Sequence, residues 1–320
     1  MNQQETLAAL VAHVKAAVLP HLGTWRSRKV TGIAASGDAT FDIDEIAEKA
    51  VEEFILNHAL PLAYYSEDRG LVRPLADMNT EGLLIIDPID GTRGAIAGFE
   101  ACVVSAAWTD YIPKPTLSDV KYAAITEIKG DLTFTAERGQ GAHIVDSYGK
   151  TKQITLSPTA SLTDMAWTLE VVGAPLELVF NVVADLANPT TVRGGFFILN
   201  SSAYELTRLL TGQLAGIVDV RTRLLRTFPK TREKFRECGG GRLLSLYGYD
   251  VAAAALIALE AGCIVTDAWG NSLMGWNLLD TSESNFGSLI AASNSTLHNQ
   301  IMQSVEHGFE KMSGEALSSN

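Results

Sequence analysis

Cysteine is scarce in this chain. Cys102, Cys238 and Cys263 are the only three in 320 residues, widely separated, odd in number and without a Cys-x-x-Cys pair. A disulfide framework or a thiolate zinc cluster needs more, so a reducing compartment is expected. Positive charge is also short: 25 Lys and Arg against 37 Asp and Glu leave a net charge of −12. That field is wrong for neutralising nucleic-acid phosphates, and no nucleic-acid partner is expected. Long apolar runs are missing too, with no uncharged stretch near the ~18 residues of a membrane span. Before Lys15 there is no basic residue, and Leu7, Leu10, Val11, Val14 and Val18 fall at helical spacing. This reads as an amphipathic helix and not a signal peptide, so a cytoplasmic protein with no membrane partner is expected.

What the chain does have is globular composition, 47% hydrophobic and 19% charged, with length for one large domain or two of about 160 residues. No internal repeat is visible. Residues 36–40 read as a turn, followed by a helix over 42–60 with Ile43, Ile46, Ala47, Ala50, Val51, Phe54 and Ile55 on one face. Apolar runs at 62–65 and 83–86 read as strands that end on carboxylates, and further strands are predicted at 101–108, 122–128 and 132–136. Beyond about Tyr148 a second half is expected, with strands at 154–156, 167–172, 216–220 and 263–266 and helices at 176–187, 203–211 and 251–261. Helices in pairs and strands in runs predict segregated layers, an α+β fold. Residues 221–246 hold Arg221, Arg223, Arg226, Lys230, Arg232, Lys234, Arg236 and Arg242 and then three glycines in a row, and read as a solvated surface excursion.

The segment richest in chemistry is Leu83-Leu84-Ile85-Ile86-Asp87-Pro88-Ile89-Asp90-Gly91-Thr92. An apolar strand delivers Asp87 at its end, Pro88 bends the chain, Asp90 follows, and Gly91 lets backbone approach a ligand. Paired carboxylates without His or Cys suit a hard cation such as Mg²⁺ and argue against zinc. Taken alone the segment reads equally well as a plain turn, since Pro-x-Asp-Gly is common turn chemistry. Glu67 ends the preceding apolar run, so neighbouring strands bring it to the same sheet edge. Asp250 reads alone as a helix N-cap, and Asp44 as a first-turn residue favoured by the helix dipole.

Four blocks, taken in order, resemble the inositol monophosphatase family, the Mg²⁺-dependent, lithium-sensitive phosphatases related to fructose-1,6-bisphosphatase. They are Gly37-Asp38-Ala39-Thr40 through Asp44 to Ala47-Glu48; Ser66-Glu67-Asp68; Asp87-Pro88-Ile89-Asp90-Gly91-Thr92; and Tyr249-Asp250-Val251-Ala252-Ala253 through Glu260-Ala261-Gly262 to Thr266-Asp267. The resemblance covers residues 5 to 300 or so. It implies a layered αβαβα sandwich, with an N-terminal half, 1–148, carrying most metal ligands. A C-terminal half, 149–320, carries Asp250, substrate contacts and a basic insertion at about 221–248. It also implies two or three Mg²⁺ ions: Glu67, Asp87 and the carbonyl of Ile89 hold one, and Asp87, Asp90 and Asp250 a second. Glu67 and Thr92 orient the attacking water, with Asp44 assisting through another water or a third, weaker ion. The amides of Gly91 and Thr92 cradle the phosphate, while Ser201, Ser202 and Asp219 fall where the family meets substrate hydroxyls. A small phosphorylated substrate, direct hydrolysis without a phosphoenzyme, and a homodimer follow from the same resemblance.

The sequence departs from the family pattern at Arg93, Ala95, Tyr249 and Cys263, none of them an implied metal ligand. Asp219-Val220-Arg221 is similar to archaeal members that act on both inositol phosphates and fructose 1,6-bisphosphate. Fructose-1,6-bisphosphatase and 3′-phosphoadenosine 5′-phosphate phosphatase activities are therefore alternatives. A regulatory protein docking a partner through the basic insertion is a rival of another class. Asp42-Ile43-Asp44 approaches a phospho-aspartyl loop but follows no long buried strand. Gly149-Lys150-Thr151 lacks the first P-loop glycine, where Ile144 stands. No cysteine has Arg six residues on: Trp108, Leu244 and Trp269 occupy those positions.

Overall fold

A computed structural model of the chain describes residues 1–24, 30–33 and 39–318. The Gly37-Asp38 part of the first sequence block, and most of the turn expected at 36–40, lie outside the described residues. The N-terminal helical spacing becomes α1 (Gln3–Val18), opened by a reciprocal cap: Glu5 N donates to the Asn2 side chain at 2.8 Å, and Asn2 N to Glu5 Oε2 at 3.0 Å. A short hairpin of β1 (Val30–Ile33) and β2 (Ala39–Phe41) leads into α2 (Asp42–Asn57). The apolar faces of α1 and α2 pack on each other and on one face of a large sheet.

That sheet holds β3 (Leu62–Ser66), β4 (Gly70–Val72), β5 (Gly82–Asp90), β6 (Val103–Asp110), β7 (Tyr122–Glu127), β8 (Leu132–Glu137), β9 (Gly141–Asp146) and β10 (Thr151–Lys152). The strand order is β10-β9-β8-β7-β6-β5-β3-β4. Only β3 and β5 run parallel. On β5, Leu84 and Ile86 point to α1 and α2, and Leu83 and Ile85 to the inner core. Burial on both faces explains why this strand reads as an unbroken apolar run and not an alternating one. The short α3 (Thr92–Ala97) follows β5 directly.

A second sheet is built from β11 (Ala166–Leu169), β12 (Gly195–Phe197), β13 (Gly216–Asp219), β14 (Ile264–Thr266) and β15 (Leu289–Ala292), ordered β12-β11-β13-β15-β14. Helices α4 (Leu176–Arg193) and α9 (Ser295–Ser318) cover its outer side, while α5 (Ser202–Leu210) and α8 (Gly248–Glu260) fill the layer between the sheets. The layers therefore stack as the αβαβα sandwich that the sequence implies. From Val251 to Ala258 every residue of α8 is buried, as a helix enclosed by neighbours on all sides requires. Its alanines let both sheets approach closely.

Two expectations are corrected. Residues 154–156 form no strand; the chain pairs instead at β10, a few residues earlier. The basic stretch is not a solvated loop. It folds into α6 (Arg221–Thr227) and α7 (Arg232–Cys238), with Arg221 and Arg223 buried. Its cations are answered by protein groups: Arg221 by Asp219, Arg223 by Glu306 and the Ala268 carbonyl, Arg226 by the carbonyls of Ser284 and Phe286, and Arg232 by Glu283. Charge patterning identified the cations but not the partners, which, Asp219 apart, come from distant segments.

Candidate active site

Strand β5 positions the two central carboxylates through a bulge. Asp87 pairs with Ser105 and Asp90 with Val103, so three steps on β5 oppose two on β6. Pro88, which has no N–H for a ladder, sits inside that irregularity, where a central strand tolerates it. Asp87 Oδ1 accepts from Ile89 N at 3.0 Å. Asp90 turns toward α5, where its Oδ2 accepts from Ser201 Oγ at 2.7 Å, Ala203 N at 2.8 Å and Tyr204 N at 3.1 Å. Thus Ser201 grips Asp90 and does not line the cleft, whereas Ser202 does.

Gly91 follows with φ +86°, and a Cβ there would stand 2.4 Å from the Ala101 carbonyl oxygen and 2.8 Å from Ser201 Oγ. Both the conformation and the packing exclude a side chain. Thr92 Oγ1 lies 3.0 Å from the Ile89 carbonyl oxygen and 3.2 Å from Asp44 Oδ1, and donates toward both. Asp44 and Asp250 are held alike, each in the first turn of a helix with a carboxylate reaching back to a backbone amide: Phe41 N to Asp44 Oδ2 and Tyr247 N to Asp250 Oδ2, both at 2.8 Å. Asp250 is thus a third-position capping residue of α8 and not its N-cap. Its other oxygen is not committed by that bond.

Glu67, Asp87, Ile89, Asp90, Gly91, Thr92 and Asp250 line one open cleft of about 680 Å³. A second hollow of about 440 Å³ shares Glu67, Asp87, Ile89 and Thr92 and adds Asp44, Glu48 and Asp68. Burial raises the carboxyl pKa values, and like charges add to it at Asp87, Asp250 and Asp44. Burial, then Asp90, Glu67 and Asp250, push Asp87 well above the usual carboxylate range. Burial and Glu67 do the same to Asp250. Burial lifts Asp90 to about 6 against the donors of Ser201 and α5, and lifts Asp44 to about 7 with help from Asp68 and Glu48. A cation joining carboxylates so placed would favour their ionised form and bring these values down.

The donor set is oxygen alone, four carboxylates and a carbonyl, which fits a hard divalent ion. Among the described residues no group of three or more His, Cys, Asp or Glu stands closed around an ion position. One oxygen each of Asp87, Asp90 and Asp250 is tied to backbone or to Ser201. The residues fit such an ion in donor chemistry and line one cleft.

Asp219 is not brought to the cleft. It is fully buried at the end of β13, and Arg221 clamps it with Nε at 3.0 Å and Nη2 at 2.7 Å. Arg221 lines the cleft in its place, with Asn200, Ser245 and Arg93. The sequence reading also missed Glu170, Glu205 and Glu48, all buried. Glu170 follows the apolar strand β11 as Glu67 follows β3, so the same pattern of an apolar run ending on a carboxylate was available to find it.

The model of the inositol monophosphatase family matches residues 2–308. The fructose-1,6-bisphosphatase/inositol-1-monophosphatase of Methanothermobacter thermautotrophicus is 28% identical over 302 residues, covering 93% of this chain and 94% of its own. A 3′(2′),5′-bisphosphate nucleotidase of Oryza sativa is 25% identical, covering 86% of this chain and 74% of its own. In structure, the IMPase of Thermotoga maritima superposes with a TM-score of 0.67 at 20% identity, over 97% of this chain and 99% of that one. That likeness concerns the fold.

Proposed function

Because the chain belongs to the inositol monophosphatase family and is a phosphoric monoester hydrolase, we propose that it hydrolyses inositol monophosphate or a related sugar phosphate with Mg²⁺ held on the acidic wall of the cleft. The observation that carries this is the meeting of Glu67, Asp87, Ile89, Asp90, Gly91, Thr92 and Asp250, from three separated segments, around one space. Glu67, Asp87 and the Ile89 carbonyl would hold one ion, and Asp87, Asp90 and Asp250 another, with a third, weaker position beside Asp44. Bound there, the ions supply Lewis acidity to the phosphoryl oxygens and a water of lowered pKa.

The chain's own groups do the rest. Thr92, set between Asp44 and the Ile89 carbonyl, offers a hydroxyl whose proton Asp44 can hold, and with Glu67 it orients the attacking water. The Gly91 and Thr92 amides receive the phosphate where no Cβ intervenes. Ser201 and the first amides of α5 fix Asp90 in place. Asn200, Ser202, Arg221 and Ser245 face the remainder of the substrate, and Asp219 acts through Arg221 by holding its guanidinium flat.

A second reading is supported by Arg93 and Arg221 at the same cleft: a substrate with two phosphates, such as fructose 1,6-bisphosphate or 3′-phosphoadenosine 5′-phosphate. Cytoplasmic location, a homodimer and the division at about residue 148 belong to the proposal as well. The test is phosphate release from inositol phosphates, fructose 1,6-bisphosphate and 3′-phosphoadenosine 5′-phosphate, with Mg²⁺ and with chelator. Turnover that needs Mg²⁺ supports the reading. Silence across the panel contradicts it and favours a regulatory protein that keeps the fold.

A further inference from the structure

The wall of the cleft on the β11 side holds two carboxyl groups that the proposed chemistry leaves unused. Glu170, just beyond β11, lines the cleft although it is only 3% exposed, and its Oε1 accepts from Ser202 Oγ at 3.2 Å. Behind it Glu205 of α5 is fully buried; Oε1 accepts from Thr168 Oγ1 at 3.0 Å, while Oε2 has no hydrogen-bond partner. Burial, then the charge of Glu170, push the Glu205 carboxyl well above the usual carboxylate range. Ionised carboxylates are acceptors only, so a protonated Glu205 is the form in which its leftover oxygen becomes a donor toward Glu170.

The charged groups facing Glu170 are Arg221, Asp219, Asp90 and Glu205. Arg221 is already committed: Nε and Nη2 donate to Asp219, and Nη1 to the Val172 carbonyl at 2.8 Å. Glu170 therefore presents an acceptor to the cleft with the Ser202 hydroxyl and the proton of Glu205 as its protein donors. Its acceptor capacity is larger than that. Ser202, Arg221 and Ser245 line the same cleft as polar neighbours, with Val172, Leu244 and Leu246 among them.

We infer that Glu170 is a specificity-determining residue that accepts a hydrogen bond from a hydroxyl of the substrate's polyol moiety, with Glu205 a positioning residue that fixes its orientation. The inference rests on the reading of the cleft as a phosphatase site, with phosphate on the acidic wall and polyol on this one. A substrate without hydroxyls leaves a nearly buried acceptor unpaired, and sites of that kind discriminate strongly against the analogue lacking the donor.

The experiment compares kcat/KM for inositol 1-phosphate, or the polyol phosphate in the panel that the wild type turns over best, with kcat/KM for 4-nitrophenyl phosphate. The readout is their ratio. Glu170→Leu keeps much of the volume and removes the acceptor; it should lower the ratio at least about tenfold, mainly through KM, whereas Glu170→Gln, whose amide oxygen still accepts, should stay within about threefold of wild type. Glu205→Leu should lower the ratio as well, whereas Glu205→Gln, whose amide supplies a permanent N–H to Glu170, should restore it to within about threefold of wild type. Calorimetric binding of inorganic phosphate in the presence of Mg²⁺ verifies that each variant keeps a folded acidic wall. An unchanged ratio in Glu170→Leu, or a parallel loss on both substrates, overturns the inference alone. A wild type without Mg²⁺-dependent turnover of either substrate removes the reading of the site first.

Discussion

The two walls of the cleft treat charge in opposite ways. On the acidic wall, Glu67, Asp87, Asp90 and Asp250 line one cleft, and burial, with like charges around Asp87 and Asp250, raises the pKa values of Asp87, Asp90 and Asp250. On the other wall the charge is answered within the chain: Asp219 is fully buried against Arg221, which also donates to Val172. The difference teaches how to tell a waiting ligand set from structural ionics. Where the fold supplies the counter-charge, removing it harms the fold. Where it does not, the carboxylates burden the fold and serve something that arrives from outside.

Asp87→Asn separates the two cases most sharply. If Asp87 meets an ion as proposed, the variant should lower kcat/KM by about 10³-fold, several kcal/mol, while raising the melting temperature in chelator because a buried carboxyl that must either repel its neighbours or take up a proton has gone. Loss of both activity and stability would place Asp87 with the structural charges. Asp219→Ala should show the reverse order of effects, with a stability loss of about 3–5 kcal/mol in a denaturant titration, since a buried guanidinium is left without its partner. A loss below about 1 kcal/mol would break the contrast, because exposed pairs contribute no more than that.

A third test uses pH. Asp44 and Asp90 have pKa values raised from the ordinary carboxylate range to about 7 and about 6. The folded state then holds more protons than the unfolded one between about pH 4 and pH 7. In chelator, stability is fully present below that window and falls as pH rises through it. Mg²⁺ should offset the loss, raising the melting temperature more at pH 8 than at pH 5. Equal shifts at both pH values would show that these carboxylates do not meet the ion. The smallest effect expected is at the rim: Arg93→Ala, at an exposed position lining the cleft, should leave monophosphate turnover within about threefold and weaken a bisphosphate substrate by up to about tenfold.

The two walls also differ in how far the sequence revealed them. Asp87, Ile89, Asp90, Gly91 and Thr92 are contiguous, and an apolar strand ending on them is a local signal. Asp250 needed the family pattern, since its place in the first turn of α8 reads alone as a cap. The layers were legible because α1 and α2 carry helical periodicity, α8 a run of Ala and Leu that favours helix, and β5 an apolar run. The other wall is assembled from β11, α5, α6 and residues 244–247, four segments whose proximity is tertiary. Nothing local distinguishes Glu205 from a surface residue of its helix, and nothing in 221–246 reveals that Glu306, Ala268, Ser284 and Phe286 receive its arginines. Asp219 was found by pattern and assigned to substrate. The bidentate grip of Arg221, two residues on, is what a sequence cannot display.

The most direct measurement is the anomalous scattering of crystals grown with Mn²⁺ in place of Mg²⁺. The account predicts ion density between Asp87 and Asp250, with a carboxylate oxygen of each in the ligand shell. Well-ordered crystals in which that space holds only water, with the Asp250 carboxylate turned away from Asp87, would contradict it.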